Sequence, residues 1–578
     1  MNFLENVTFL DARKFQLSEL NLELNKVSVI HLINDHELRA FWESQIASEI
    51  SADEITRLIN LQAINLRQKF ESALNSFASK QTVFWLATRT AEKNTLINPF
   101  FLNVLFLTFL KDFKFQHKNK FVFTDNEVLL NLQVHRFRLR HRVKFSVQTN
   151  YKAFKTVLQF AVLFFGNKLQ SYGLPKSKTE VVIHSFVDNE SLSTLMYRER
   201  YFPGLVEWYE NQGISASLLI SGAGPFPLKL YKSMLRNNLK VFNEYRFYGV
   251  RDFIFALRIF LKLRLIKFND FFIDGEDFSN ISDDIHNRFG TDLGVLEALL
   301  RYKLGFKMKL QENYPRLFVT EYEGMILEKM LNLGIHTSGA QIKVYGFQHG
   351  AMFEHLICNY PTNYELSLGI MPDKIICNGQ KFAELIISRG VPSSMVFVGS
   401  ALRYTYLHKG YGSSVHHKDN SIVVLLPMTY PDCKDLISIF EDFSIGFNVE
   451  IHYKPHPFND ISLLLPLLKS SNNKFLYGSI SEIIFNYKIV VGMTTGALLE
   501  AGLLGLCVVK IKRFLSLDFD TTFMDPELRV EVEDISDLSS VLVKLLNEHP
   551  FDTPIYNQTL LDSYFAPINP SGMEKFLI

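Results

Sequence analysis

From Ile342 onward the chain repeats one pattern: a short run of β-branched and aromatic residues, then a turn or a helical stretch. The runs are "IKVYGFQHG", "DKIICNG", "MVFVGS", "SIVVLLPM", "VEIHYKPHP", "FLYGS", "KIVVGMTTG" and "CVVKI". Eight strand candidates thus fall within about 170 residues. Strands separated by helical crossovers pair in parallel, so this spacing restricts the chain to an α/β architecture.

The 578 residues are enough for three to four domains of roughly 150 residues each. Residues 1–170 read as an N-terminal α/β region, with strand candidates "NVTFLDA", "KVSVIHLI", "TVFWLAT" and "KFVFTD" and a helical region from Glu37 to Ser79. A second unit, 171–338, opens at "TEVVIHSFVDN", continues through "SASLLISG" and closes near "RLFVTEYEG". The third unit is 339–548, and a tail, 549–578, is expected to cross back to the N-terminal half.

Sixty-one Lys and Arg nearly cancel 60 Asp and Glu, which argues against a nucleic-acid partner. Cys358, Cys377, Cys433 and Cys507 are scattered among apolar neighbours with no CxxC, as buried thiols in a reducing compartment are. The N-terminus lacks a basic segment followed by an apolar run, and no stretch of about 20 uncharged apolar residues occurs. A cytoplasmic location is the expectation. "VHRFRLRHRVKF" (134–145) alternates bases with apolar residues, as an exposed basic strand would. "RDFIFALRIFLKLRLIKF" (251–268) reads as a helix. It is either an interfacial helix making a peripheral contact with an anionic membrane or an amphipathic helix packed on a sheet.

In open parallel sheets, ligands bind beyond the carboxyl ends of the strands, and the third unit places polar residues there three times. "GFQHG" delivers Gln348 and His349 to a loop, where Gly350 permits a sharp turn or a close ligand approach. In "VEIHYKPHP" His452, Lys454 and His456 share a face. Pro455 and Pro457 end the strand, so Lys454 and His456 project together toward a phosphate. In "VVGMTTGALLEAG" a strand ends at Gly492 and a helix starts near Gly496, with Thr494 or Thr495 as N-cap. Glu500, one turn on, is in reach of a ribose hydroxyl. Together these residues fit a nucleotide-sugar phosphate.

"QHG", "KPHP" and "TTGALLEAG", in that order, resemble the C-terminal half of GT-B glycosyltransferases that build bacterial surface polysaccharides, over roughly residues 315 to 510. The pattern is most similar to the group using CMP-linked donors: capsule Kdo transferases, polysialyltransferases and related nonulosonic-acid transferases. The resemblance implies a GT-B-like fold, two Rossmann-like domains facing a cleft, here with the additional N-terminal α/β region. It implies metal-independent transfer without a cofactor, from a CMP-linked sugar to a glycan or lipid-linked glycan. His456 matches the HP histidine, and Thr494 and Thr495 the Ser/Thr pair. The family's base motif, two acidic residues before a Gly, is matched by "EYEG", where Tyr322 departs from it and leaves Glu321 and Glu323 as candidates, Glu323 preferred. His349 joins the catalytic candidates, and "DGEDF" (274–278) is the fallback acidic pair. Rival readings are a CDP-glycerol-type polyol-phosphate transferase, a UDP-GlcNAc 2-epimerase and a non-catalytic scaffold. The epimerase's helix motif carries an Asp, a Gln and a Glu where this chain has Met493, Leu498 and Leu499.

Overall fold

The computed structural model describes residues 7–16, 27–137, 139–172, 179–187, 197, 199–221, 234, 239–310, 315–409, 421–457, 459–532, 535–547 and 557–578. Its sheets are parallel apart from one short hairpin. β1 (Val7–Asp11), β2 (Val27–Leu32) and β3 (Asn119–Thr124) form a small sheet in the order β1-β3-β2.

The second sheet contains β4 (Val181–Phe186) and β5 (Ala216–Ser221). After the hairpin β6 (Phe272–Ile273) and β7 (Glu276–Asp277), it takes in β8 (Leu317–Glu321), β9 (Lys343–Gln348), β10 (Lys374–Cys377) and β11 (Val396–Val398). Its order is β11-β10-β9-β8-β4-β5, and Val241 makes a lone parallel bridge to Leu218 on the β5 edge. The third sheet is built from β12 (Ser421–Leu425), β13 (Glu450–Lys454), β14 (Lys474–Phe475), β15 (Ile489–Gly492), β16 (Cys507–Ile511) and β17 (Val530–Val532). Its order, β14-β13-β12-β15-β16-β17, is the 3-2-1-4-5-6 winding of a dinucleotide-binding fold. The chain therefore has an α/β fold with two Rossmann-like units and an N-terminal α/β region.

Several expectations need correction. The boundary at 338/339 is wrong: β9, β10 and β11 continue the β8 sheet, so the first Rossmann-like unit extends to about Gly399. The crossover from β8 to β9 looks like any other crossover in sequence, whereas the join lies near the polar stretch "KGYGSSVHHKDN" (409–420), a linker-like composition. "TVFWLAT" is a 3-10 turn (Val83–Ala87) in which Trp85, Leu86 and Ala87 are all buried; a strand with one exposed face would alternate. The described residues of the segment 134–145, namely 134–137 and 139–145, are helical backbone within Glu127–Phe137 and Leu139–Tyr172, not an exposed strand. Residues 251–268 open with a helix, Val250–Arg264. Residues 557–578 pack on the first Rossmann-like unit, where Tyr209 Oη donates to the Phe576 carbonyl at 2.6 Å and Lys374 Nζ to the Lys575 carbonyl at 3.0 Å.

A small core around Trp42 and Phe123 belongs to the N-terminal region alone, but most of that region's apolar residues join a core shared with the first Rossmann-like unit. One apolar cluster runs from Phe70, Trp85 and Phe101 into Phe260, Leu299 and Met330. A buried ion triad crosses the same junction: Glu365 accepts from Lys93 at 2.7 Å and from Lys329 at 2.6 Å. All four cysteines are free and buried. No helix is long and apolar enough to cross a membrane, among the described residues.

Candidate functional site

β4 and β8 are neighbours at the point where strand order reverses in the first Rossmann-like sheet. Their outer halves carry His184 and Glu321, with His184 Nδ1 2.9 Å from Glu321 Oε2. Arg301, from the helix Leu293–Lys309, donates to His184 Nε2 at 2.8 Å. A guanidinium cannot accept, so Nε2 is the acceptor and Nδ1 carries the proton toward Glu321. Burial, with the Arg301 charge behind it, holds His184 well below its ordinary pKa. Burial pushes the Glu321 carboxyl up to about 8. Glu321 is thus sealed at the strand end and kept protonated near neutral pH.

Two residues on, Glu323 has the opposite environment. Its side chain is 34% exposed, and Oε1 lies 2.9 Å from His349 Nε2. Burial opposes ionisation, but the hydrogen bond and charge of His349, with Arg403 and His184 further off, outweigh it and hold this carboxyl below its ordinary value. Glu328 fixes the loop, accepting from the Glu323 and Gly324 amides at 2.9 Å each. Gly324 has φ +71°, and a Cβ there would run into the Cys358 carbonyl. The turn after Glu323 therefore requires glycine.

The β9 loop presents His349, whose ring meets Tyr201 edge-on at 4.8 Å. Gln348, expected to bind the donor, is instead a buried brace: its carbonyl accepts from the Asn378 amide at 3.1 Å and its amide donates to the Gly350 carbonyl. Gly350 is outside the positive-φ region and a Cβ would meet nothing within 4 Å, so it makes no forced turn; it borders open space.

In the third sheet, Lys454 and Gly492 both pair with Leu425, one on each side of β12. The "KPHP" and "TTG" segments therefore leave one rim two strand spacings apart, roughly 10 Å. Asn459 shapes the first: its Oδ1 accepts from the His456 amide at 2.7 Å and its Nδ2 donates to the Met428 carbonyl at 3.1 Å. Lys454 Nζ donates to the Pro455 carbonyl at 2.9 Å. His452 faces inward, fully buried between the Tyr487 hydroxyl and Glu450 Oε1, each at 2.5 Å. Burial first, then the charges of Lys454 and Arg403, takes His456 down to about 4, so its imidazole is neutral at pH 7.

The helix Ala497–Leu503 begins after Gly496, and its N-cap is Gly496 rather than a threonine. Thr495 Oγ1 accepts from the Ala497 amide at 3.4 Å, and the Thr495 carbonyl accepts from Thr521 at 3.2 Å. Thr494 is half-buried beside it. A Cβ on Gly496 would stand 3.4 Å from the Ala351 side chain, so this loop touches the one carrying His349. Glu500 is buried, accepts from the Tyr406 hydroxyl and is pushed up to about 7 by burial against the pull of Arg403.

The sequence reading missed Arg403. It lies in "SALRYTY", exposed where the first unit hands over to the second, between the rings of Tyr201 and Tyr404 at 6.0 Å each. Its charge acts on Glu323, Glu500 and His456 together. It stands outside any strand-end motif, so nothing marks it in sequence. The fallback acids lie on the β6–β7 hairpin, where Asp274 pairs with Lys69 and Glu276 with Lys111, each at 2.8 Å. Among the described residues no group of three or more His, Cys, Asp or Glu is placed to hold a metal ion.

No protein-family model and no curated protein sequence matches the chain. Among solved structures, it is similar to the UDP-GlcNAc 2-epimerase of Methanocaldococcus jannaschii in complex with UDP-GlcNAc and UDP, at 12% identity and a TM-score of 0.38 over 69% of this chain and 98% of that one. The UDP-GlcNAc 2-epimerase of Neisseria meningitidis bound to UDP-GlcNAc matches at 11% identity and TM-score 0.37, over 64% and 92%. Anabaena HepE in complex with UDP and glucose matches at 11% and 0.37, over 67% and 95%. At these TM-scores the likenesses fix neither reaction nor substrate; the fold assignment rests on the sheet topology above.

Proposed function

We propose that this chain is a nucleotide-sugar enzyme working between its two Rossmann-like units, a glycosyltransferase that moves a nonulosonic-type sugar from a CMP-linked donor to a glycan or lipid-linked glycan. The observation that carries it is the meeting of the two rims, where the Gly496 turn lies against Ala351 of the loop carrying His349 and Arg403 stands beside Tyr201 at the join. A group so placed serves a substrate that spans both. Glu323, ionised and steadied by His349, takes the proton of the acceptor hydroxyl as its oxygen bonds to the anomeric carbon. The bond from that carbon to the donor phosphate breaks, and Arg403, Lys454 and the His456 N–H receive the charge on the departing nucleotide. Positive side chains supply the stabilisation, so the proposal calls for no metal. The CMP preference comes from the ordered motifs. The helix Val250–Arg264 makes the peripheral contact with an anionic membrane, at the cytoplasmic face.

One observation favours a second reading, a 2-epimerase acting on UDP-GlcNAc. Glu321 and Glu323 lie on one rim with pKa values pushed in opposite directions, which is how an acid and a base are assigned in isomerases. Incubation with CMP-Kdo, CDP-glycerol and UDP-GlcNAc separates the readings. Release of CMP in the presence of a glycan acceptor supports transfer; inversion at C2 of UDP-GlcNAc supports the epimerase and overturns the transferase.

A further inference from the structure

The helix Leu139–Tyr172 is apolar on two opposite faces. Phe160, Leu163 and Phe164 point into the core and are at most 1% exposed. On the other side Tyr151, Phe154, Leu158, Val162, Leu169 and Tyr172 follow one another at intervals of three, four or seven residues, all more than half exposed. Such spacing lines them along one face. A helix apolar all round is normally enclosed, so half of this one lacks its cover among the described residues.

The neighbouring helix Val250–Arg264 continues the surface. Its Phe253 stacks on Phe160 at 5.1 Å and touches Phe164 and Phe165 at 5.1 and 5.5 Å. Val250, Ile254 and Leu261 are exposed beside it, flanked by exposed Arg251, Arg258 and Lys262. Charge selects the occupant. Residues 139–172 contain no Asp or Glu, and Lys152 and Lys155 are exposed among the stripe residues. The one acid of the second helix, Asp252, is buried against Lys307 at 2.8 Å. A second copy docked face to face would set bases against bases. An anionic lipid surface answers both the bases and the apolar stripe.

We infer that the two helices form one membrane-docking platform, in which the apolar stripe of Leu139–Tyr172 enters the headgroup boundary and the bases of Val250–Arg264 bind anionic headgroups. This rests on the peripheral contact proposed above for Val250–Arg264 and adds the longer helix as its principal apolar element.

The test is flotation of the full chain with phosphatidylglycerol–phosphatidylcholine vesicles and with phosphatidylcholine vesicles alone, alongside sedimentation equilibrium. The substituted residues are exposed, so circular dichroism and Tm should stay unchanged in each variant. Wild type should bind the anionic vesicles only. The triple variant Phe154→Glu, Leu158→Glu, Leu169→Glu and the triple variant Arg251→Gln, Arg258→Gln, Lys262→Gln should each lose about tenfold or more in partitioning. If only the second variant loses binding, the longer helix is not part of the platform, while the contact by Val250–Arg264 stands. No vesicle binding by wild type sinks both. Equal binding to neutral vesicles, or a wild-type dimer that the first variant turns into monomer without change in vesicle binding, overturns the platform.

Discussion

Glu323→Gln should lower turnover roughly 10²–10⁴-fold while leaving nucleotide affinity within about twofold of wild type. Glutamine keeps the shape and can still accept from His349 Nε2, so the loop braced by Glu328 and closed by Gly324 should stay in place. What it loses is the ability to take a proton. The pH profile gives a second handle. Glu323 is held below its ordinary pKa, so wild-type activity should persist through the usual carboxylate range and fail only as acid protonates this group. Glu321→Gln is the contrast. Its carboxyl is raised to about 8 and already protonated at pH 7, so the amide mimics the resident form and turnover near neutrality should change little. If Glu321→Gln is the more damaging of the two, the roles assigned to them are reversed.

Glu365→Ala should produce the largest loss of stability, about 3–5 kcal/mol, because it strands two buried ammonium groups. Lys93 and Lys329 both donate to this carboxylate, and Lys93 also reaches the Tyr360 carbonyl at 2.8 Å. Burial alone would raise the Glu365 pKa, but the charges of Lys329 and Lys93 prevail and hold it at about 2. A carboxyl whose folded pKa is depressed adds stability above its unfolded pKa and loses it as pH falls through the folded value. The contribution of Glu365 should therefore fade between about pH 4.5 and 2. Urea midpoints at pH 7 and pH 3 measure this: the gap between wild type and variant should narrow in acid. A loss under about 1 kcal/mol at pH 7 would mean that the N-terminal region is not held to the first Rossmann-like unit through this triad.

The α/β character and most strands were legible because β-branched runs alternate with helical stretches regardless of tertiary context. Which sheet a strand joins was not, since the β8–β9 crossover carries no local sign that both strands share a sheet. The 3-10 turn at Val83–Ala87 was misread because continuous apolarity fits a buried strand and a buried turn equally. At the candidate site, backbone geometry was legible: Pro455 and Pro457 follow the end of β13, and Gly324 takes the positive φ that its turn requires. Gln348 was misassigned because an amide at a rim can brace a loop as readily as bind a ligand. Arg403 was invisible because it stands at the join of the two units, outside any strand-end motif.

The central claim is that groups from both units converge on one donor nucleotide, and equilibrium titration with CMP tests it most directly. Wild type should bind, with UMP weaker, while His456→Ala and Arg403→Ala should each weaken CMP by about tenfold or more, the loss expected of a charge-assisted contact. Undiminished CMP affinity in both variants, or no CMP binding by the wild type, would contradict it.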